Sequence, residues 1–218
     1  MALEPVFGPQ AVNLTEFEAK ALLMKNGIQA PRGIIVTAIP DKIELRFPLA
    51  LKVSDASILH KSDVGGVRAG IVGIYDLLEE FSIMQKRFPG SQFLLEEMAP
   101  KGVEFIVGAT MDQVFGPVLM LGSGGIYTEL YHDVAFRKLP IEKADAVDMI
   151  REIKSGIFCR GFRSQTIDCG SVLDLLLKAS AMVLSEKLGI ESMDLNPVIV
   201  SSNGAVVADA KISVNKRK

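Results

Sequence analysis

The sequence has no tryptophan, and aromatic residues make up only 6% of its 218 positions. Its core must therefore be built mainly from Ile, Leu, Val and Met. It has 2 cysteines, Cys159 and Cys169. They form no Cys-x-x-Cys motif and no disulfide framework, which suits a reducing compartment. An excess of charge is missing too: 24 basic and 26 acidic residues give a formal net charge of −2. That excludes a general polyanion-binding surface and leaves room for a local basic pocket. No apolar run approaches the roughly 20 residues a membrane-spanning helix needs; the most apolar window, residues 172–184, is interrupted by Asp174 and Lys178. Residues 1–10 show no basic stretch leading into an apolar one, so no secretory leader is expected and the chain reads as cytoplasmic.

What is present is the composition of a globular protein, 49% apolar and 23% charged. A chain of this size buries roughly 70% of its unfolded surface and needs no disulfide or metal staple. Thr15 and Glu18 form a capping-box pattern. Phe17, Ala21 and Met24 follow at helical spacing, and Gly27 is placed to stop the helix. Further helices are expected over residues 75–88, 142–153 and 171–188. Strands are expected over 33–37, 49–53, 67–74, 93–98, 103–110, 117–121, 198–200 and 205–210. Asn203-Gly204 is a two-residue hairpin signal between the last two strands. Several strands follow one another with no crossover helix, which predicts an α+β fold with antiparallel sheets.

Few residues could carry chemistry. Residues 54–66 form a polar stretch holding His60, Lys61 and Asp63 and closing on Gly65-Gly66. A second glycine cluster spans residues 122–125. Either could bring backbone N–H groups to phosphates, yet neither fits G-x-x-x-x-G-K-[ST] or G-x-G-x-x-G, and ordinary turns also explain them. Lys52 lies inside the apolar strand Leu49-Ala50-Leu51-Lys52-Val53, where it either faces solvent or pairs with an anion. His60 is a plain loop histidine or a nucleophile that carries a phosphoryl group, with Lys61 on phosphate oxygens and Asp63 orienting the ring. Asn196 and Asp209 lie on elements that the Asn203-Gly204 turn pairs. Their oxygens suit Mg²⁺ held mainly by nucleotide phosphates, or they serve only in turns. Glu96, Glu97 and Glu104, at strand ends, are either solvated or bind sugar hydroxyls and an adenine amino group.

In combination these stretches resemble the ATP-grasp (β) subunit of ADP-forming acetyl-CoA synthetase, or acetate–CoA ligase (ADP-forming), a relative of succinyl-CoA synthetase. The stretches are LTEFEAKALLMKNGI from Leu14, PLALKVSDASILHKSDVGGV from Pro48, the long run from Leu94 to Leu130, MIREIKSG from Met149, and MDLNPVIV with VVADAKI. The resemblance implies one ATP-grasp domain over residues 1–218, with two α+β subdomains holding the nucleotide between their sheets. The smaller covers about residues 20–95 and the larger, with the metal site, about 96–212. It implies Lys52 on the nucleotide phosphates, Glu97 and Met98 at adenine, Glu104 on the ribose, and Arg137 and then Glu129 as weaker contacts. Asn196 and Asp209 would hold Mg²⁺, and His60 would be the phosphorylated histidine.

The reaction implied is acyl-CoA + ADP + phosphate ⇌ carboxylic acid + CoA + ATP, by phosphohistidine relay. It needs ATP or ADP with Mg²⁺, and a CoA-binding α subunit in an α2β2 heterotetramer. No nucleic acid or membrane is implied as a partner. Two alternatives stand beside it: a self-contained ATP-grasp carboxylate ligase and a non-catalytic nucleotide-sensing subunit. The chain departs from the resemblance where only about a dozen residues separate the strand near Ile35 from that near Leu51, so the family's extra helix there is expected to be missing.

Overall fold

The computed structural model describes residues 11–56, 58, 61–125, 133–163 and 166–215. In chain order the elements are β1 (Ala11–Asn13), α1 (Glu16–Lys25), β2 (Gly33–Val36), β3 (Leu49–Ser54), β4 (Val67–Ile71), α2 (Ile74–Arg87), β5 (Gln92–Glu97), β6 (Val103–Asp112) and β7 (Gly116–Ser123). They continue with β8 (Val134–Lys138), α3 (Lys143–Glu152), a 3₁₀ segment (Lys154–Arg160), α4 (Cys169–Leu184), β9 (Ile190–Ser201), β10 (Gly204–Val207) and β11 (Ala210–Asn215). Residues 37–48 contain no helix or strand, as the short spacing predicts.

The strands form two sheets. The larger has seven strands in the order β1-β11-β9-β6-β7-β8, with β10 also paired to β9; the smaller has four in the order β2-β5-β3-β4. Every pairing among the described residues is antiparallel, so the expected α+β arrangement holds. β9 is the backbone of the larger sheet. Its 12 residues carry β11 along one half and β10 along the other, with β6 on the opposite edge. The sequence pattern shows only the last part of β9, because its first half, Ile-Glu-Ser-Met-Asp, has weak apolar alternation. β8 was not expected at all.

Each sheet covers its own core. The larger core packs Phe105, Leu119, Leu121, Met149 and Leu176 between its sheet and helices α1, α3 and α4. The smaller packs Leu49, Leu51, Leu77, Met84 and Phe93 under α2, with Phe81 and Phe93 edge to face at 5.3 Å. Burying each such side chain stabilises by roughly 1.5–3 kcal/mol. In α2 the buried residues Leu77, Phe81 and Met84 recur at helical spacing, while Asp76 and Lys86-Arg87 sit at the ends that suit the helix dipole.

Two expectations are corrected. The capping box forms: the Thr15 N–H donates to Glu18 Oε2 at 2.8 Å and the Glu18 N–H to Thr15 Oγ1 at 3.3 Å. Yet α1 does not bury Phe17, Ala21 and Met24. It buries Glu16, Ala19, Lys20 and Leu23, because charged partners from elsewhere in the fold neutralise Glu16 and Lys20. Cys159 and Cys169 are also not separate thiols; they are disulfide-bonded, with Cα atoms 5.5 Å apart. The 3₁₀ turn brings Cys159 back to the first residue of α4, a closure that spacing alone does not reveal.

Candidate functional site

Where the two sheets meet, five charged side chains from four segments form one buried network. Glu16 and Lys20 come from α1, one helical turn apart on one face. Lys52 comes from β3 and Glu96 from β5, which are neighbours in the smaller sheet, with Ala50 opposite Glu96. Lys61 lies between β3 and β4 in the chain. The Lys52 ammonium lies 2.5 Å from Glu16 Oε1 and 2.8 Å from Glu96 Oε1, and donates to the Ala208 carbonyl at 3.0 Å. Lys20 lies 2.8 Å from Glu16 Oε1 and 2.7 Å from Glu96 Oε2, and donates to the same carbonyl at 2.7 Å. Lys61 reaches Glu16 Oε2 at 2.9 Å. Glu16 and Lys20 are each 3% exposed and Glu96 2%, so water contributes little to their solvation.

The electrostatics follow. Burial pushes the Glu16 carboxyl up, but Lys52, Lys20 and Lys61 together outweigh it and hold the group at about 2. Burial likewise lowers the Lys52 ammonium, and Glu16, Glu96 and Asp209 more than reverse this, raising it above the ordinary lysine range. Glu16 and Lys52 are therefore both charged at neutral pH. Counting Asp209, three ammonium groups (Lys20, Lys52 and Lys61) meet three carboxylates (Glu16, Glu96 and Asp209).

Asp209 follows Ala208 in the turn from β10 to β11, and its carboxylate is near enough to bias both Lys52 and Asp194. Asp194 is raised above the usual carboxylate range, first by burial and then by Asp209, against the opposing pull of Lys211. The Asn196 N–H donates to the Asp209 carbonyl at 3.1 Å. The hairpin thus pairs Asn196 and Asp209 as the turn signal predicts, through Ser202-Asn203 rather than Asn203-Gly204. Among the described residues no three or more His, Cys, Asp or Glu side chains converge as a metal site. Two oxygen-bearing side chains fit Mg²⁺ only where phosphates and water complete its shell, and they do not fit a protein-caged metal.

The other predicted residues are placed as follows. Glu97 ends β5, and its carboxylate accepts the Arg46 N–H at 3.1 Å. The Met98 N–H donates to the Pro48 carbonyl at 3.1 Å, so that donor is not open to a base, while the side chain is exposed. Glu104 opens β6 beneath the glycine cluster: its carbonyl accepts the Gly124 N–H at 2.7 Å, and a Cβ on Gly125 would lie 3.5 Å from Glu104 Oε2. Arg137 lies on β8, an edge of the larger sheet three strands from β9. It pairs with Glu152 and donates to the Phe136 carbonyl at 2.9 Å. His60 and Glu129 lie outside the described residues.

Four N–H groups of the two glycine segments are already bonded within the chain. The N–H groups of Gly65 and Gly66 go to Ser62 and Lys61 carbonyls, and those of Ser123 and Gly124 to Asp133 and Glu104. These glycines serve close packing: a Cβ on Gly66 would lie 2.7 Å from Val53 Cγ1. The residues that sequence reasoning missed are Glu16, Lys20 and the buried role of Glu96. The Glu16–Lys20 spacing is the signal that could have found the first two.

The chain has counterparts among known proteins in sequence and in fold. The ATP-grasp domain pattern matches residues 8–214. The chain is 41% identical over 209 residues to acetate–CoA ligase [ADP-forming] II of Archaeoglobus fulgidus, covering 94% of this chain and 31% of that one. It thus spans about a third of that relative's length. It is 35% identical to the β subunit of acetate–CoA ligase [ADP-forming] II of Pyrococcus furiosus, covering 96% of this chain and 95% of that subunit. Among solved structures it is similar to acetyl-coenzyme A synthetase 1 of Ca. Korarchaeum cryptofilum, at 36% identity and a TM-score of 0.82 over 93% of each chain. That protein was solved with coenzyme A and Mg-AMPPCP, its phosphohistidine segment pointing towards the nucleotide-binding site. Matched along nearly its whole length in sequence and in fold, the chain belongs to the ATP-grasp family and is similar to the β subunits and β-subunit-like parts of ADP-forming acetate–CoA ligases.

Proposed function

We propose that the chain is the nucleotide-binding subunit of an ADP-forming acyl-CoA synthetase, catalysing acyl-CoA + ADP + phosphate ⇌ carboxylic acid + CoA + ATP with a partner subunit. One observation carries the reading: three lysine ammonium groups, Lys20, Lys52 and Lys61, gathered at the meeting of the two sheets, with the carboxylate of Asp209 acting on Lys52. Phosphoryl transfer asks chiefly for positioning and charge neutralisation, which this cluster is built to supply. Lys52 would bind the nucleotide phosphates, with Glu97 and Met98 beside the base and Glu104 at the ribose. Asn196 and Asp209 would hold Mg²⁺, which when bound neutralises charge on the phosphates. His60 would take the phosphoryl group on a ring nitrogen and return it, the nitrogen–phosphorus bond forming as the oxygen–phosphorus bond to ADP breaks. Arg137, tied to Glu152, is the weakest of the proposed contacts. The CoA site would lie on an α subunit, in a cytoplasmic α2β2 assembly; among the described residues no helix is long and apolar enough to cross a membrane.

The test is phosphorylation of the chain, with its copurifying partner, by ATP labelled in the γ-phosphate. Wild-type protein is expected to incorporate acid-labile label and release ADP. His60→Asn is expected to abolish labelling while ADP still binds, and Lys52→Met to lose ADP binding as well. Labelling that persists in His60→Asn overturns the relay, and ADP binding without labelling in the wild-type complex overturns catalysis.

A further inference from the structure

An ammonium group has three N–H donors. Those of Lys52 are all taken by protein acceptors: Glu16 Oε1 at 2.5 Å, Glu96 Oε1 at 2.8 Å and the Ala208 carbonyl at 3.0 Å. A phosphate oxygen can reach this ammonium only by replacing one of them. Glu96 is held beside Lys52 by the pairing of β3 with β5, two residues along β5 from Leu94, the direct partner of Lys52, and without Lys52 it would keep a single cation, Lys20. The Ala208 carbonyl is fixed by the chain, and the Ala208 N–H is itself tied to Pro197 at 2.9 Å. Glu16 stands differently. It belongs to α1, which packs into the larger core. If it gives up Lys52 it still holds Lys20 at 2.8 Å and Lys61 at 2.9 Å, so it is the acceptor that loses least.

We propose that Glu16 competes with the nucleotide's phosphates for Lys52 and so sets the affinity of the site for phosphorylated ligands. This rests on the reading of Lys52 as a phosphate-binding residue. Glu16 is a positioning residue here: it acts on the ligand through the lysine it shares. A carboxylate kept within the cluster also disfavours any phosphate beside it by direct repulsion, which works in the same direction. The arrangement lets a charged site stay buried without an unpaired cation, and it moderates nucleotide affinity so that product can leave.

The experiment is ADP binding to the full chain by calorimetry, for wild type, Glu16→Gln and Glu16→Asp, with adenosine as a phosphate-free probe. Competition predicts that Glu16→Gln binds ADP tighter, by about tenfold for the loss of one buried negative charge near the phosphates. Glu16→Asp keeps the charge and withdraws it by one methylene, so it tightens ADP by a smaller factor. Adenosine affinity stays level in both. A purely structural Glu16 predicts the reverse, a looser site that binds ADP less well. Either variant that folds with unchanged or weaker ADP affinity overturns the proposal, and Glu16→Asp decides the matter if Glu16→Gln does not fold. Tighter adenosine binding overturns it as well. If wild type binds no ADP, the nucleotide reading falls and this inference with it. If wild type binds and the variants do not tighten, only the competition falls.

Discussion

Lys20 is the sharpest test of the buried network. Its side chain is 3% exposed and contacts both carboxylates, Glu16 at 2.8 Å and Glu96 at 2.7 Å, as well as the Ala208 carbonyl. Replacing it with methionine keeps much of the apolar stem and removes the ammonium. Glu96 then depends on Lys52 alone, while Glu16 keeps Lys52 and Lys61. Removing one partner of a buried ion pair costs roughly 3–5 kcal/mol, because the other is left undercompensated where water cannot reach. For a protein of this size each kcal/mol lowers Tm by about 2–4 °C, so Lys20→Met should melt roughly 6–20 °C lower. The assay is thermal unfolding at neutral pH, followed by circular dichroism. Arg137→Ala is the control: it breaks a pair whose side chains are 27% and 49% exposed, worth at most about 1 kcal/mol. If Lys20→Met shifts Tm no more than Arg137→Ala does, the network is not the buried, mutually dependent unit described here.

Two more predictions concern the same region. Glu16 is held at about 2 against an ordinary 4.5. A depressed carboxyl contributes stability that is full above its unfolded value and lost as pH falls towards its folded one. Urea unfolding should therefore lose about 3 kcal/mol between about pH 5 and pH 2 through this group, and an equally steep loss in Glu16→Gln would refute the assignment. Gly124→Ala would place a Cβ 2.6 Å from the Glu104 Cβ and 2.7 Å from its carbonyl carbon. Strand β6 cannot shift freely there, so overpacking of about 1–3 kcal/mol is expected, read as a lower Tm; an unchanged Tm would show that the strand yields.

The Thr15–Glu18 cap, the apolar spacing of α2 and the strands around Lys52 were legible because each is set by neighbours within a few residues. The hairpin carrying Asn196 and Asp209 was legible for the same reason, although the turn sits one residue earlier than Asn203-Gly204 suggests. β8 was not, since its strand state depends on pairing with β7. Nor was the pairing of Cys159 with Cys169, which depends on how a 3₁₀ turn meets α4.

The contrast is plainest at Lys52. The sequence alone determined that a lysine sits in an apolar strand and that its charge needs an explanation. It also determined that excess charge is absent, so any phosphate site had to be local. Only the tertiary structure decided where the balancing charges are. Glu16, 36 residues away, Glu96 and Lys20 converge on Lys52 because α1 packs against the larger sheet and turns its charged face towards the smaller one. Local periodicity measures the apolar content of a helix face. It cannot show that a charged face will be buried, because that depends on opposite charges arriving from distant segments.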